Sequence, residues 1–293
     1  MTPRHSINGI LLVEKPIGPT SHDIVQRCRR ILGREKKVGH AGTLDPFASG
    51  LLVVMVGQAT RLSRYFQDSD KEYIARVKLG QETDTYDREG TVISDNPVPD
   101  IEDRDLPRVL DRFKGPIMQI PPMYSAIRIN GKRLYQLARN NQVVDRPPRK
   151  VKIHQLELLE ESYTSLTLRV VCSSGTYIRS LAHDLGRELG CGAHLESLVR
   201  TLSGSFTLDQ AHTLEEIEKT PERYLVPMIE LLPEMPSLEI DEASTALVRN
   251  GRPAPAESGL EKTEIRLCNR SVLVAISRCD GEMLHPVIVF NYD

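Results

Sequence analysis

The sequence predicts an α+β fold in two units, residues 1–234 and 235–293. Strand-like runs such as Lys71 to Leu79 and Leu166 to Cys172 share the first unit with capped amphipathic stretches such as Thr20 to Leu32. A composition change at Leu232-Pro233-Glu234-Met235-Pro236 then introduces a tail in which most of the pattern is strand. At 293 residues the chain exceeds the commonest domain size, which fits one large unit with a smaller companion.

Gly9 to Lys15 reads as a short strand stopped by Pro16, and Thr20-Ser21-His22-Asp23 supplies the cap of a helix. That helix turns Ile24, Val25, Cys28, Ile31 and Leu32 inward and Arg27, Arg29 and Arg30 outward. From Gly39 to Gly50 the chain is a shaped loop: its three glycines open backbone angles closed to other residues, and Pro46 pushes Asp45 out of the α region. The loop feeds Leu51 to Val56, an apolar run of the length of a strand covered on both faces. Ala59 to Gln67 reads as a short helix, Lys71 to Leu79 as a strand with Tyr73, Ala75, Val77 and Leu79 on one face, and Thr83 to Gly90 as a polar turn.

Leu106 to Phe113 is expected to be a helix closed by Gly115-Pro116, and Asn130-Gly131 marks a hairpin. Leu134 to Asn140 reads as a short helix and Arg146-Pro147-Pro148-Arg149 as an extended return, followed by strands over Val151 to Leu159 and Leu166 to Cys172. Ser173-Ser174-Gly175-Thr176 turns into a helix with Ile178, Leu181, Leu185 and Leu189 inward, and His194 to Leu202 and Leu214 to Ile217 read as further helical pieces. In the tail, Asp241 caps a helix that Gly251 stops, and strands follow over Glu264 to Cys268, Ser271 to Ser277 and Met283 to Phe290. A tail of this size is near the lower limit for an independent core and should lean on the first unit.

With 40% hydrophobic and 27% charged residues the composition is that of an ordinary soluble protein. Neither a signal peptide nor an apolar run of spanning length is present, so the expected location is the cytoplasm, without membrane contact. Cys28, Cys172, Cys191, Cys268 and Cys279 are odd in number and widely spaced, which argues against a disulfide framework or a zinc site. The histidines never reach HExxH spacing, and Gly18-Pro19-Thr20-Ser21 lacks the lysine of a phosphate-binding loop, so neither a metal nor a nucleotide cofactor is expected. Ser180, His183 and Asp184 share one helix, a spacing that cannot build a nucleophile relay.

The net charge of -2 hides a polarised chain. Residues 1–80 carry 13 Lys and Arg against 7 Asp and Glu, whereas residues 161–234 carry 6 against 11. Arg128 to Lys152 has a net charge of +7, with Arg133, Arg149 and Lys150 among its cations. Charge alone fits a phosphate-binding surface and a solvated face equally well. Asp45, taken alone, reads as a turn residue bonding its own backbone. If it is to act, a guanidinium must orient it, and Arg179 is the best candidate because a first-turn cation works against the helix dipole. Tyr73 reads by pattern as a core residue, and His40 as a loop hydrogen-bonder or a proton carrier.

Four motifs, in order, give these residues further meaning: Gly-Ile-Leu-Leu-Val-Glu-Lys-Pro ending at Pro16, Gly-His-Ala-Gly-Thr-Leu-Asp-Pro with Ser-Gly-Leu-Leu-Val after it, Lys-Glu-Tyr with Thr-Asp-Thr-Tyr-Asp, and Cys-Ser-Ser-Gly-Thr-Tyr-Ile-Arg. Over residues 7–205 the chain resembles the bacterial tRNA pseudouridine synthase B family. The resemblance implies the pseudouridine-synthase fold, a mixed, largely antiparallel central sheet flanked by helices, with a small mostly-β PUA-like RNA-binding domain in the tail. It implies isomerisation of uridine to pseudouridine at position 55 of the tRNA T loop, without a cofactor and by a monomer. Asp45 would be the nucleophile, Arg179 would bridge it to Asp87, and Tyr73 would stack on the flipped base. His40 would contact RNA beside that nucleotide, and Lys15, Tyr177 and Leu198 would shape the pocket. The helix from Thr20 to Leu32 and the basic segment, an insertion over about residues 121–152 with Arg133, Arg149 and Lys150, would grip the T arm. Glu35-Lys36-Lys37 departs from the family pattern and touches local RNA contacts only. Two alternatives stay open: a synthase for ribosomal RNA directed by a guide RNA, and an RNA-binding or RNA-folding protein without catalysis.

Overall fold

The computed structural model describes residues 7–125, 128–129, 132–134, 144–256, 260 and 262–292. In chain order, β1 is Gly9–Lys15, α1 Ser21–Leu32, β2 Val38–Ala41, β3 Ser49–Val56, α2 Ser63–Asp68, β4 Lys71–Leu79, β5 Gln81–Thr83, β6 Val92–Asp95, α3 Leu106–Asp111, β7 Gly115–Gln119, β8 Arg128–Ile129 and β9 Lys132–Arg133. There follow β10 Arg149–Ser162, β11 Ser165–Cys172, α4 Ile178–Glu188, β12 Ala193–Ser203, β13 Phe206–Thr207, α5 Leu214–Lys219 and β14 Leu225–Pro227. The tail contributes β15 Ser237–Glu239, α6 Glu242–Arg249, β16 Ala254–Pro255, β17 Glu264–Asn269, β18 Val272–Cys279 and β19 Met283–Val289.

A ten-stranded sheet runs in the order β14-β1-β3-β12-β4-β11-β10-β7, with β2 beside β3 and β13 beside β12. It is mixed and largely antiparallel; β3 and β12 pair in parallel at the centre. The fold class is the expected α+β, with α1, α4 and α5 packed on the sheet. Strand β1 shows why both faces are covered: Leu11 and Val13 pack with Ile24, Val25 and Cys28 of α1, while Ile10 and Leu12 join Leu51, Met55 and Phe66 on the other side. On that second side Leu273, Ile276, Ile288 and Phe290 complete the cluster, so the five-stranded tail sheet leans on the large one as its size requires. Arg266 ties the two together by donating to the carbonyls of Ile229 and Leu231.

Several expectations need correction. His194 to Leu202 is not helical: it lies within β12, between β3 and β4 in the sheet. The cause is two β-bulges, between Leu195 and Ser197 and between Arg200 and Leu202. Each inserts one residue, so the buried positions Ala193, Leu195, Leu198, Arg200 and Ser203 alternate gaps of two and three and imitate a helical stripe. The shaped loop is shorter than expected, because Gly39, His40 and Ala41 pair with Met55, Val54 and Val53 as strand β2. Gly115-Pro116 does not merely close a helix; it opens β7, an edge strand where proline's missing donor is tolerated. The helix before it ends at Asp111, and the one expected over Ala59 to Gln67 is a 3-10 turn to Leu62 followed by α2.

The Asn130-Gly131 signal is flanked by the hairpin pair β8 and β9, Arg128 opposite Arg133. Residues 130 and 131, the side chain of Arg133, and all but Leu134 of the helix expected over Leu134 to Asn140 lie outside the described residues. No helix among the described residues is long and apolar enough to cross a membrane. All five cysteines are free and buried.

Candidate active site

The segment around Asp45 is held by its backbone before any side chain acts. Ser21, the first residue of α1, donates through Oγ to Leu44 O at 2.8 Å and accepts from Leu44 N at 2.8 Å. Lys15, at the end of β1, donates through Nζ to Ala48 O at 2.7 Å, Pro16 O at 2.9 Å and Pro46 O at 3.4 Å. Gly18 N adds a bond to Pro46 O at 2.8 Å. At the far end of the loop Gly50, with φ 103°, lets β3 approach β12 so closely that a Cβ there would lie 2.4 Å from Arg200 O. Lys15 is fully buried, and through these carbonyls it steadies the loop that carries Asp45. Burial pushes its ammonium down to about 8, with Asp45 opposing the shift.

Arg179 occupies the first turn of α4 and is 5% exposed. Its Nε lies 3.0 Å from Asp45 Oδ2 and its Nη1 3.2 Å from Asp87 Oδ2. Nη1 also donates to Thr85 O at 3.2 Å and Nη2 to Tyr124 O at 2.7 Å. These four acceptors explain a buried cation at the unfavourable end of a helix: two carboxylates outweigh the dipole, and each of the three guanidinium nitrogens has a partner. Asp87 is itself buried, accepts from Thr85 Oγ1 at 2.7 Å and Glu89 N at 3.0 Å, and holds Arg179 from the side away from Asp45's contact. The Asp45 side chain is 35% exposed, facing a cleft. Burial raises its pKa above that of an ordinary aspartate and the Asp87 charge adds to that; Arg179 and Lys15 oppose it.

The cleft has a volume of about 270 Å³ and is lined by Asp45, Tyr73, Tyr177, Arg179, Leu198 and Arg200 among others. Gln119 fixes the backbone of Tyr177 from both sides, accepting from its N at 2.7 Å and donating to its O at 2.9 Å. Tyr73 stands on β4 directly across from Arg200 on β12, and burial raises its phenol while Arg200 opposes. His40, on β2, is half-buried and does not line the cleft; its Nδ1 has no hydrogen-bond partner among the described residues, and burial pushes its imidazole down. Arg149 and Lys150 are exposed at the start of β10, opposite Gln119 and Met118 of the edge strand. On α1, Arg27 is spoken for by Glu215 and Glu218 of α5, and Arg29 donates to Val38 O, which leaves Arg30 as the exposed cation of that trio.

The model of the TruB family pseudouridylate synthase N-terminal domain matches residues 29–178, and that of the tRNA pseudouridylate synthase B C-terminal domain matches residues 179–232. The chain belongs to the TruB family of pseudouridylate synthases. Among curated relatives, tRNA pseudouridine synthase B of Symbiobacterium thermophilum is 48% identical over 84% of this chain and 82% of its own. The protein of the same name from Solibacter usitatus is 45% identical over 85% and 87%, and that of Caldanaerobacter subterraneus subsp. tengcongensis 39% over 97% and 100%. Among solved structures, a chain of a Cbf5-Nop10-Gar1 complex superposes with a TM-score of 0.75 at 27% identity, covering 98% of this chain and 85% of that one. A chain of an H/ACA RNP bound to a substrate RNA containing 2'-deoxyuridine gives 0.72 at 26%, covering 98% and 86%. Membership of this family makes the chain a member of an enzyme class, as the four motifs implied.

Two residues of this TruB-family cleft were not singled out by the sequence. Arg200 is 1% exposed and donates to Leu51 O at 2.7 Å and Gly42 O at 3.2 Å, joining β12, β3 and the loop. Lys71, 5% exposed, donates to Phe66 O at 3.0 Å, Gln67 O at 2.8 Å and Ser69 O, and burial with Arg200 nearby pushes it down to about 8. For Arg200 the available signal was a cation within the mostly apolar stretch Leu198 to Leu202, since such residues are seldom buried unless paired; Lys71, between Asp70 and Glu72, offered none.

Proposed function

We propose that the protein isomerises uridine to pseudouridine in tRNA, at position 55 of the T loop, with Asp45 as nucleophile toward a nucleotide flipped into the cleft. The observation that carries this reading is the half-exposed Asp45 carboxylate at 3.0 Å from a buried Arg179, beside the Tyr73 ring, in a cleft of about 270 Å³. A base extruded from its stack needs a ring to lie on, worth about 1–3 kcal/mol per base, and Tyr73 offers one. Arg179 keeps Asp45 ionised against its burial and fixes the direction of its open oxygen.

The reaction is balanced within the substrate. The N1–C1′ bond breaks, the uracil turns, C5 bonds C1′, and the proton lost from C5 is matched by one gained at N1. No redox partner or energy source is consumed. Tyr177 and Leu198 shape the pocket, His40 lies near the flanking RNA, and Arg133, Arg149 and Lys150 hold the T arm. The unit of residues 1–234 carries the chemistry and the PUA-like tail, 235–293, adds RNA contact; the enzyme works as a cytoplasmic monomer.

A guide-RNA-directed reading draws on the likeness to the Cbf5 chain at 27% identity. The curated relatives named tRNA pseudouridine synthase B, at 39–48%, favour tRNA instead. The test is tritium release from a T-arm transcript labelled at uridine C5. Release by the wild-type protein alone, and none by an Asp45→Asn variant that still binds, is the expected result. No release by protein that binds the transcript supports an RNA-binding role only, and release that requires a guide RNA supports the other reading.

A further inference from the structure

The turn that carries Asp87 adopts a conformation its own sequence disfavours. Tyr86, just before it, has φ 64°, in the left-handed region where a bulky side chain is strained. Such strain persists only where the surroundings over-determine it. Here they do so from three sides. The Tyr86 ring lies flat on the His183 imidazole, centroids 3.9 Å apart and planes 11° from parallel. Tyr86 O accepts from Leu195 N at 3.0 Å, and Arg88 N donates to Leu195 O at 3.0 Å, so the turn is stitched to β12 at its first bulge. Tyr86 N donates to Thr83 O at 3.2 Å, closing the turn on itself.

Helix α4 meets this turn at two points one helical turn apart. Arg179 takes Thr85 O and the Asp87 carboxylate, the groups on either side of Tyr86, and His183 takes the Tyr86 ring. Glu82 Oε1 lies 3.3 Å from His183 Nδ1 without forming a hydrogen bond, so the ring is placed by its stack on Tyr86. Because both acceptors of Nη1 flank one strained residue, a change in that residue's backbone would swing them apart. We propose that Tyr86 is a positioning residue: its stack on His183 locks the left-handed turn that aims Thr85 O and Asp87 at Arg179, and so sets the guanidinium against Asp45. Tyr86 touches no reacting atom. The inference rests on the function proposed above.

The experiment measures kcat and KM on a T-arm transcript for the wild type, Tyr86→Ala, Tyr86→Phe, His183→Ala and His183→Phe. The alanine variants should lose roughly tenfold to a hundredfold in kcat while KM changes by less than about twofold, because misplacement of the reacting group is felt in the chemical step. The phenylalanine variants, which keep a ring in the stack, should recover most of that loss. Alanine variants that melt at lower temperature but turn over at the wild-type rate overturn the proposal, as do phenylalanine variants as slow as alanine. If Tyr86→Ala does not fold, His183→Ala makes the same test from the other ring. A wild-type protein without activity overturns the proposed function and this inference together; an active wild type with unaffected alanine variants overturns only the inference.

Discussion

Arg200 and Tyr73 face each other across the β12–β4 pairing, and the same guanidinium holds the carbonyls of Gly42 and Leu51. One side chain therefore joins the loop bearing Asp45, the strand behind it and the ring proposed to receive the base. Arg200→Lys keeps the charge but cannot reach both carbonyls, so Gly42 O loses its partner. The expected result is a loss of about 1 kcal/mol in stability from the partly buried carbonyl left without its partner, seen in urea unfolding, together with a lower kcat. Wild-type turnover in Arg200→Lys would remove Arg200 from the positioning of the loop.

The acid side of the pH profile should report the Asp45 carboxyl. Burial and the Asp87 charge raise it, and Arg179 and Lys15 oppose them. Activity requires the ionised form in the proposed mechanism, so it should fall as pH drops through a value above that of an ordinary aspartate. Asp87→Asn removes the like charge and should move this acid limb to lower pH, even as it lowers kcat by loosening Arg179. A limb that stays in place, or moves up, would show that another group titrates there.

Lys15 and Lys71 make a prediction of opposite sense for stability. Each is lowered from 10.5 to about 8 in the folded protein. Below about pH 8 both states carry the charge; between there and 10.5 the unfolded chain binds a proton that the folded one has lost. Stability contributed by these groups therefore rises with pH across that window. Lys15→Met should be less stable overall, having lost three carbonyl contacts, and should show a flatter rise between pH 8 and 10.5 than the wild type in parallel urea titrations.

Gly50 tests the close approach of β3 to β12. Its φ of 103° and a hypothetical Cβ 2.4 Å from Arg200 O and 2.7 Å from Arg200 N leave no room, and the obstacle is backbone. Gly50→Ala should cost at least about 2–4 kcal/mol, read as a fall in the urea midpoint, whereas Gly175→Ala, where nothing lies within 4 Å of the added atom, should cost only the strain of its φ.

The ease of reading the chain differed by element for physical reasons. α1 was legible because Thr20 and Asp23 cap it reciprocally and its apolar stripe is clean. β4 and β11 were legible because their alternation is unbroken where they pair residue for residue. β12 was not: its bulges, which bring Leu198 and Arg200 to the cleft, spoil the period by which a strand is recognised. Arg179 and Asp45 are 134 positions apart in the sequence, and their meeting follows from the sheet order, which no local pattern encodes. Lys15 was named for the neighbourhood of the pocket, but its burial and its three carbonyl acceptors become visible only in the fold.

Arg149 and Lys150 are exposed cations at the start of β10, on the strand pair that includes Gln119, the residue that fixes the Tyr177 backbone. If both neutralise phosphates of the bound RNA, the double variant Arg149→Ala with Lys150→Ala should bind the transcript more weakly at low salt. Each lost contact removes about 0.7–0.9 from the slope of log K against log salt. A slope shallower by about 1.5–2 with kcat at saturating RNA little changed is the expected outcome, because these side chains act in association and not at the reacting bond. An unchanged slope would mean that the basic start of β10 is a solvated face, and that the T arm is held elsewhere on the surface.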